Sequence, residues 1–561
     1  AFDKVTAAQM QSLEAAAAAA GQGYEEMMTC AGQAVAQAIM DLGLPEGARI
    51  LVLIGPGNNG GDGLVAARLL HGKGARVTGY LWKRVTDEDP NYRLAVDLGV
   101  EIVRLSEDAD LSRFRALLAE SQVVIDALLG TGAKGAIRGD LARLLGALQE
   151  GMALMGSAEP ALIRPGWPVA RPRRRPLVVA VDLPSGMNAD TGEVDALTPR
   201  ADMTVTFGLP KLGLFRFPGA GLVGDLVVAD IGIPASLTAD IDLEVADQAM
   251  VAPLLPERPP DANKGTFGRV LVVAGSTNYA GAPYLAALGA SRVGAGLVTL
   301  ALPQPVYPIV AARAVEPTYL LLPSDMGALT PLALEVLGPT LEGYKALLLG
   351  PGLGREKPTV DFVHQLVGLR PAGGRVTLGF VARETVQEAR SYQLPVTVVD
   401  ADALNALAEA PEWWRETSAR LVLTPHPGEL ARLQGTTVEA IQADRLAAAR
   451  EAAARWGQTE VLKGAYTVVA APEGRATLLP FANPALASAG TGIGSGGWRL
   501  RPRRGRRAGA AGHGRRRHGG RRPAAASAAG DQADARGDGL RAGALRGCLS
   551  AAAWRPPAGL R

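Results

Sequence analysis

Cysteine is almost absent from this chain. Cys30 and Cys548 are the only two in 561 residues, too few for a disulfide framework and without the spacing of a metal site. A reducing, cytoplasmic setting is the expectation. Long apolar runs are missing as well. None reaches the roughly 18–20 residues of a membrane span, so no membrane partner is expected. Residues 1–20 have no basic segment ahead of an apolar core, and the alanine run at 15–20 reads as helix, not signal peptide. The last stretch lacks most of all: residues 494–561 contain no Lys, Glu, Ile, Val, Phe, Met or Tyr.

The net charge of +3 therefore averages two unlike parts. The tail's 16 Arg and 3 Asp give it +13 and leave −10 on everything before it. An acidic body gives no ground for a nucleic-acid partner. The tail's arginine clusters permit phosphate contact, but no interleaved aromatics support base stacking. With so little apolar surface to bury against chain entropy, the tail is expected to be disordered.

The first part alternates short apolar runs with helical stretches. Residues 49–54 (RILVLI) enter a Gly-rich turn and then a helical segment at 64–70. Further β-rich runs stand at 75–82, 100–105, 123–129, 177–181, 203–207 and 225–229, with crossover helices such as 111–120 and 141–149 between them. That rhythm predicts an α/β fold, a mostly parallel sheet with helices on both faces. Residues 156–176, rich in Pro and Arg, read as a surface insertion. A second unit follows the Pro-rich 253–261. Its runs at 269–273, 297–302, 346–349, 396–399, 421–423 and 466–470 repeat the rhythm without repeating the motifs.

Three polar loops follow strands of the first unit. The first is Gly55-Pro-Gly-Asn58-Asn59-Gly60-Gly61-Asp62-Gly63. Its glycines let a ligand approach the backbone, and free N–H groups at the helix start favour phosphate. A tight turn would explain glycines alone, but it does not need Asn58, Asn59 and Asp62. The second, at 123–126 (VVID), ends in Asp126 and runs on to Gly130-Thr131-Gly132. The third, AVDLPSG, carries Asp182 and Ser185. A lone Asp at a strand end is commonly a turn cap. Three such clusters in one parallel sheet point instead to the carboxyl edge where ligands bind.

In this order, PGNNGGDG, VVIDALLGTG and AVDLPSGMNADTG resemble the NAD(P)H-hydrate epimerase domain, over roughly residues 1–235. The resemblance implies a Rossmann-like fold that interconverts the R and S hydrates of damaged NADH and NADPH. It further implies that Asn58, Asn59, Gly60, Gly61 and Asp62 hold the hydrate, with Gly130, Thr131, Gly132, Ala133, Lys134, Gly135, Ala136 and Asp182. Asn59, Asp126 and Ser185 are expected to bind a potassium ion, for which hard oxygen ligands are suited. Asp126 is the candidate for proton handling near the nicotinamide.

The second unit carries KGTFGRVLVVAGS with YAGA after it, GPGLG, VDADALN, TPHPGE, VLKGAYT and a Gly-rich stretch ending at Gly492. Each motif alone is weak; His426 alone reads as structural and Lys463-Gly464 as a turn. The full order resembles the ADP- or ATP-dependent NAD(P)H-hydrate dehydratase domain, over 236–493. This implies a ribokinase-like α/β fold that phosphorylates the hydrate and eliminates phosphate, restoring the coenzyme. Ala282, Gly354 and His426 would contact the hydrate. Lys463, Gly464, Ala465, Tyr466, Thr467 and Gly492 would bind ADP, with Mg2+ as its companion ion, and a homo-oligomer is expected.

The pattern breaks at Ile493. The resembled family reads Gly-Thr-Gly-Asp there, with the Asp as general base, and continues into apolar helices. Ile493 can neither accept a proton nor hydrogen-bond. Residues 494–561 then read as a frameshift product, a basic tail for RNA or an acidic partner, or part of an altered pseudoenzyme domain. The abrupt loss of Lys and Glu favours the frameshift. Two rivals to coenzyme repair remain: a vitamin-precursor or sugar kinase on the ribokinase-like unit, and a first unit that only binds nucleotides.

Overall fold

The apolar run Arg49–Ile54 forms a strand, β1, that feeds two cores at once. Ile50, Val52 and Ile54 pack on one face, and Leu51 and Leu53 on the other. Alternate side chains of a strand point to opposite faces, so a strand buried on both reads as one unbroken apolar run. The remaining strands of this sheet are β2 (Arg76–Leu81), β3 (Glu101–Arg104), β4 (Val123–Ala127), β5 (Leu177–Val181), β6 (Met203–Phe207) and β7 (Asp225–Ala229). They form a seven-stranded sheet in the order β3-β2-β1-β4-β5-β6-β7, and every pairing is parallel. Helices α1 (Tyr24–Met40) and α2 (Asn58–Gly72) cover one face, while α3 (Ser112–Glu120) and α4 (Gly139–Gly156) cover the other. The expected parallel α/β sheet is therefore present.

This computed structural model describes residues 2–3, 5–132, 135–156, 175–239, 241–369, 375–378, 381–384 and 392–487. Most of the expected insertion at 156–176, together with Ala133, Lys134, Gly492, Ile493 and the tail, lies outside the described residues. The chain divides into one unit at Phe2–Val245 and another from Ala246 onward. Among the described residues no helix is long and apolar enough to cross a membrane.

The sequence places a Gly-rich turn ahead of a helix at 64–70. In the structure the helix α2 already begins at Asn58, so Asn58–Gly63 form its first turns. Glycine is a poor helix former, and packing overrides that preference here. A Cβ on Gly60 would lie 2.0 Å from the Gly55 carbonyl oxygen, and one on Gly63 would lie 2.6 Å from Ala127 Cβ. Only bare backbone lets the helix start sit this close to the ends of β1 and β4.

The second unit has β8 (Arg269–Val273), β9 (Leu297–Pro303), β10 (Thr318–Leu322), β11 (Ala346–Leu349), β12 (Val396–Val399), β13 (Leu421–Leu423), β14 (Thr459–Leu462), β15 (Val468–Ala470) and β16 (Ala476–Leu478). Their order is β16-β15-β14-β13-β12-β11-β8-β9-β10. The pairings from β14 to β10 are parallel, and β14-β15-β16 form an antiparallel meander. Three of these strands were not legible as apolar runs. In β14 the obstacle is Glu460, fully buried mid-strand. Burial pushes its carboxyl well above the ordinary range, with Glu429 adding to the rise and Lys463 opposing it. The expected run at 466–470 starts later, at Val468, because Gly464 and Tyr466 take positive φ and turn the chain.

Candidate active sites

In the first unit the three predicted loops meet at the carboxyl ends of β1, β4 and β5. Asp126, at the end of β4, is fully buried. One carboxylate oxygen accepts the Ser185 hydroxyl at 2.6 Å and the Leu128 N–H at 3.4 Å, and the other accepts the Ser185 N–H at 2.8 Å. Burial raises the affinity of this carboxyl for its proton, against the pull of those hydrogen bonds. The Ser185 hydroxyl in turn accepts the Leu129 N–H at 2.9 Å. Asn59, in the first turn of α2, donates its amide to the carbonyls of Val181 at 2.6 Å and Leu129 at 3.2 Å. Its side-chain oxygen accepts no hydrogen bond among the described residues. A Cβ on Gly130 would lie 2.3 Å from that oxygen, which explains the glycine. Asn59, Asp126, Ser185 and the Gly130 loop are thus one cluster.

Asp182 and Asp62 form a second cluster beside it, with a residue the sequence reading missed. Asp182 has a left-handed φ of 66°, and its carboxylate is bound by Lys211 Nζ at 2.5 Å and Thr206 Oγ1 at 2.9 Å. Lys211 is itself buried and also donates to the Phe207 carbonyl at 3.0 Å. The available signal was a lysine inside the otherwise uncharged run GLPKLGLF. Asp62 is 6% exposed, and its carboxylate has no hydrogen-bond partner among the described residues. Burial pushes its carboxyl well above the usual range, and the charges of Asp182 and Glu14 add to this against Lys211 and Arg84. Glu14, likewise missed, is raised by its own burial. Removing one partner of a buried ion pair strands the other charge. Lys211→Met is therefore expected to cost about 3–5 kcal/mol, read from urea unfolding of the full chain; a loss under about 1 kcal/mol would contradict the pairing.

In the second unit the motifs again gather at strand ends. Lys463 follows β14, and its ammonium lies 2.5 Å from Asp400 and 3.8 Å from Glu429. Asp400 also accepts the Thr424 hydroxyl at 3.0 Å. Glu429 accepts the His426 N–H at 2.7 Å. His426 caps the helix Pro427–Gln434, its Nδ1 accepting the N–H groups of Gly428 at 3.0 Å and Glu429 at 3.3 Å. The Gly354 N–H donates to Asp402 at 3.0 Å, and a Cβ on Gly352 would lie 2.7 Å from that of Ala282. His426 and Lys463 thus meet through Glu429, Lys463 reaches Asp400, and Gly354 is held by Asp402, three acids the sequence reading quoted in motifs without giving them roles; Ala282 lies against Gly352. Thr467 bonds back to the Gly464 carbonyl at 2.9 Å, and burial raises the Tyr466 hydroxyl.

Comparison with known proteins gives the family of each unit. A family model described as YjeF-related protein N-terminus matches residues 24–213, and one described as NAD(P)H-hydrate dehydratase matches residues 270–494. A bifunctional NAD(P)H-hydrate repair enzyme of Moorella thermoacetica is 40% identical over 451 residues, 79% of this chain and 76% of that protein. The chain belongs to the family of bifunctional NAD(P)H-hydrate repair enzymes. A second relative of that name, from Thermofilum pendens, is 38% identical over 481 residues, 84% of this chain and 82% of that one. A solved ADP/ATP-dependent NAD(P)H-hydrate dehydratase from Bacillus subtilis, co-crystallized with ATP/Mg2+, is 29% identical over 46% of this chain and 79% of its own, with a TM-score of 0.34. Membership in the repair family sets the kinase and pure-binder alternatives aside.

The potassium ion that the sequence resemblance implies can be tested against the residues present. Among the described residues no cluster of three or more His, Cys, Asp or Glu is placed to hold a metal. A single buried carboxylate with neutral oxygens is a different donor set, and the first cluster supplies it through Asp126, Ser185 and the free Asn59 oxygen. Hard oxygens around one negative charge fit a weakly held hard cation.

Proposed function

We propose that the first unit of this chain interconverts the R and S hydrates of NADH and NADPH. The observation that carries the reading is the convergence of Asn59, Asp126 and Ser185 at the carboxyl edge of β1, β4 and β5. Asp126 handles the proton: burial raises its proton affinity, and three hydrogen bonds hold it in one orientation. The start of α2, Asn58 to Asp62, takes the anionic part of the coenzyme at its N-terminus, where Gly60 and Gly61 already donate to the Gly57 carbonyl and the N–H groups of Asn58 and Asn59 are left for it, and the loop Gly130 to Ala136 and Asp182 complete the binding wall. Asn59, Asp126 and Ser185 would hold a potassium ion, which supplies positive charge next to the bound substrate.

The second unit is the dehydratase unit. In the intact reaction ADP phosphorylates the hydrate hydroxyl, and loss of phosphate then restores NADH or NADPH, leaving AMP. His426, Gly354 and Ala282 would contact the hydrate, and Lys463 to Thr467 the ADP with its Mg2+. As written, the chain has Ile493 where the family's general base belongs, and the dehydratase match stops one residue later. We therefore assign the chain epimerase activity without effective dehydratase activity. The test is to give the purified chain a single epimer of hydrated NADH and follow the mixture by chromatography. Approach to an R/S mixture is expected; an epimer that persists at the uncatalysed rate would reject the assignment.

A further inference from the structure

The first unit has a cavity that none of the residues above explains. It has a volume of about 470 Å³ and lies beyond the carboxyl ends of β2 and β3. Trp82, Lys83 and Arg84 follow β2, Arg104 ends β3, and Asp140 and Arg143 come from α4. The sheet order β3-β2-β1-β4-β5 puts this cavity on one side of β1 and the Asn59–Asp126–Ser185 cluster on the other. Arg84 joins the two. It lines the cavity and donates to the carbonyls of Gly55 at 3.1 Å and Gly57 at 2.8 Å, while Asp89 holds it at 2.5 Å.

The cavity is cationic. Lys83, Arg84, Arg104 and Arg143 face a single carboxylate in the lining, Asp140. Arg84 is neutralised by Asp89, and Arg143 reaches Asp140 at 3.3 Å. Arg104 lies only 4.0 Å from Glu107, an exposed and weak pairing. Lys83 has no carboxylate partner among the described residues; its ammonium lies 5.7 Å from the centre of the Trp82 ring. It also holds a left-handed φ of 53°, a conformation non-glycine residues adopt at a cost and often at functional sites.

We infer that this cavity binds the adenosine end of the coenzyme hydrate and that Lys83 and Arg104 select the form carrying a 2′-phosphate. The inference rests on the epimerase reading of the first unit. In doubly wound sheets a dinucleotide lies across the carboxyl edge with its adenosine ribose near the end of the second strand. An acid there takes the ribose 2′-hydroxyl, whereas a nearby arginine accommodates a 2′-phosphate. Here β2 is followed by Trp82-Lys83-Arg84, with no acid before Asp87. A dianionic phosphate gains charge-assisted hydrogen bonds from Lys83 and Arg104 that a neutral hydroxyl cannot match.

Two measurements on the full chain test this. The first compares KM for epimerisation of hydrated NADPH and hydrated NADH. The phosphorylated substrate is expected to have a KM lower by about tenfold or more, and Lys83→Gln with Arg104→Gln is expected to abolish that difference. Equal KM values in the unaltered chain, or a ratio that survives both substitutions, would overturn the inference. The second, calorimetric titration with adenosine 2′,5′-bisphosphate and with 5′-AMP, does not depend on catalysis. Preference for the bisphosphate that the double variant loses supports the subsite even where no epimerisation is seen, a result that would count against the epimerase reading alone. Equal affinity for the two nucleotides rejects the subsite.

Discussion

Asp126→Asn is expected to slow R/S interconversion by about 10²–10⁴-fold, the usual contribution of a positioned acid or base. Asn has nearly the shape of Asp and cannot exchange a proton in this range. The substitution also leaves a diagnostic mark on the fold. Asp126 receives donors on both oxygens, from the Ser185 hydroxyl and from the Ser185 N–H. An Asn amide can accept on one side only, so one donor faces another. A stability loss of about 1–3 kcal/mol should follow, small enough for the unit to stay folded. The rate is read by chromatography from either epimer and the stability by urea unfolding. A variant that interconverts the epimers at the unaltered rate would remove Asp126 from the chemistry and leave it as an anchor for the Ser185 loop.

The second large effect concerns Ile493. With the S hydrate of NADH and ADP, the chain as written is expected to give no NADH absorbance above background. A chain whose reading frame after Gly492 restores Gly-Thr-Gly-Asp and the apolar helices is expected to give it. Loss of the base alone accounts for about 10²–10⁴-fold; loss of helices that should cover the sheet removes more. Sequencing the DNA around codons 485–500 tests whether that frame exists. Normal NADH regeneration by the chain as written would defeat the assignment, whatever the DNA reads.

Both predictions depend on residues that local sequence marks well. Asp126 stands at the end of an apolar run, where a charge is conspicuous, and Ile493 follows Gly490-Thr491-Gly492 where the composition of the chain changes abruptly. Lys211 and Glu14 were harder to find. Lys211 lies far along the chain from Asp182 and Asp62, and its partners come into reach only when β6 lies beside β5. Glu14 is on an alanine-rich helix that gives no sign of facing a carboxylate pair. Glu460 misled in the opposite sense, since a charge within TEVL argues against a buried central strand.

Most strands could be read directly because a central strand covered on both faces is predominantly apolar, so β1, β5, β6, β7, β8, β11, β12 and β13 stand out in the sequence as β-rich runs with their observed limits. The residues of the carboxyl edge could be read for the complementary reason: polar groups clustered just after such runs have no core to fill. The sequence alone also located the break at Ile493. Only the tertiary structure decided that the Gly-rich segment is the first turn of α2, since close packing on β1 and β4, and not local preference, sets where that helix begins. It also decided the pairing of Lys211 with Asp182 and the meeting of Lys83, Arg104 and Arg143 around one cavity. These contacts join segments far apart in the chain. Their geometry follows from strand order, which the alternation of apolar and polar residues does not encode.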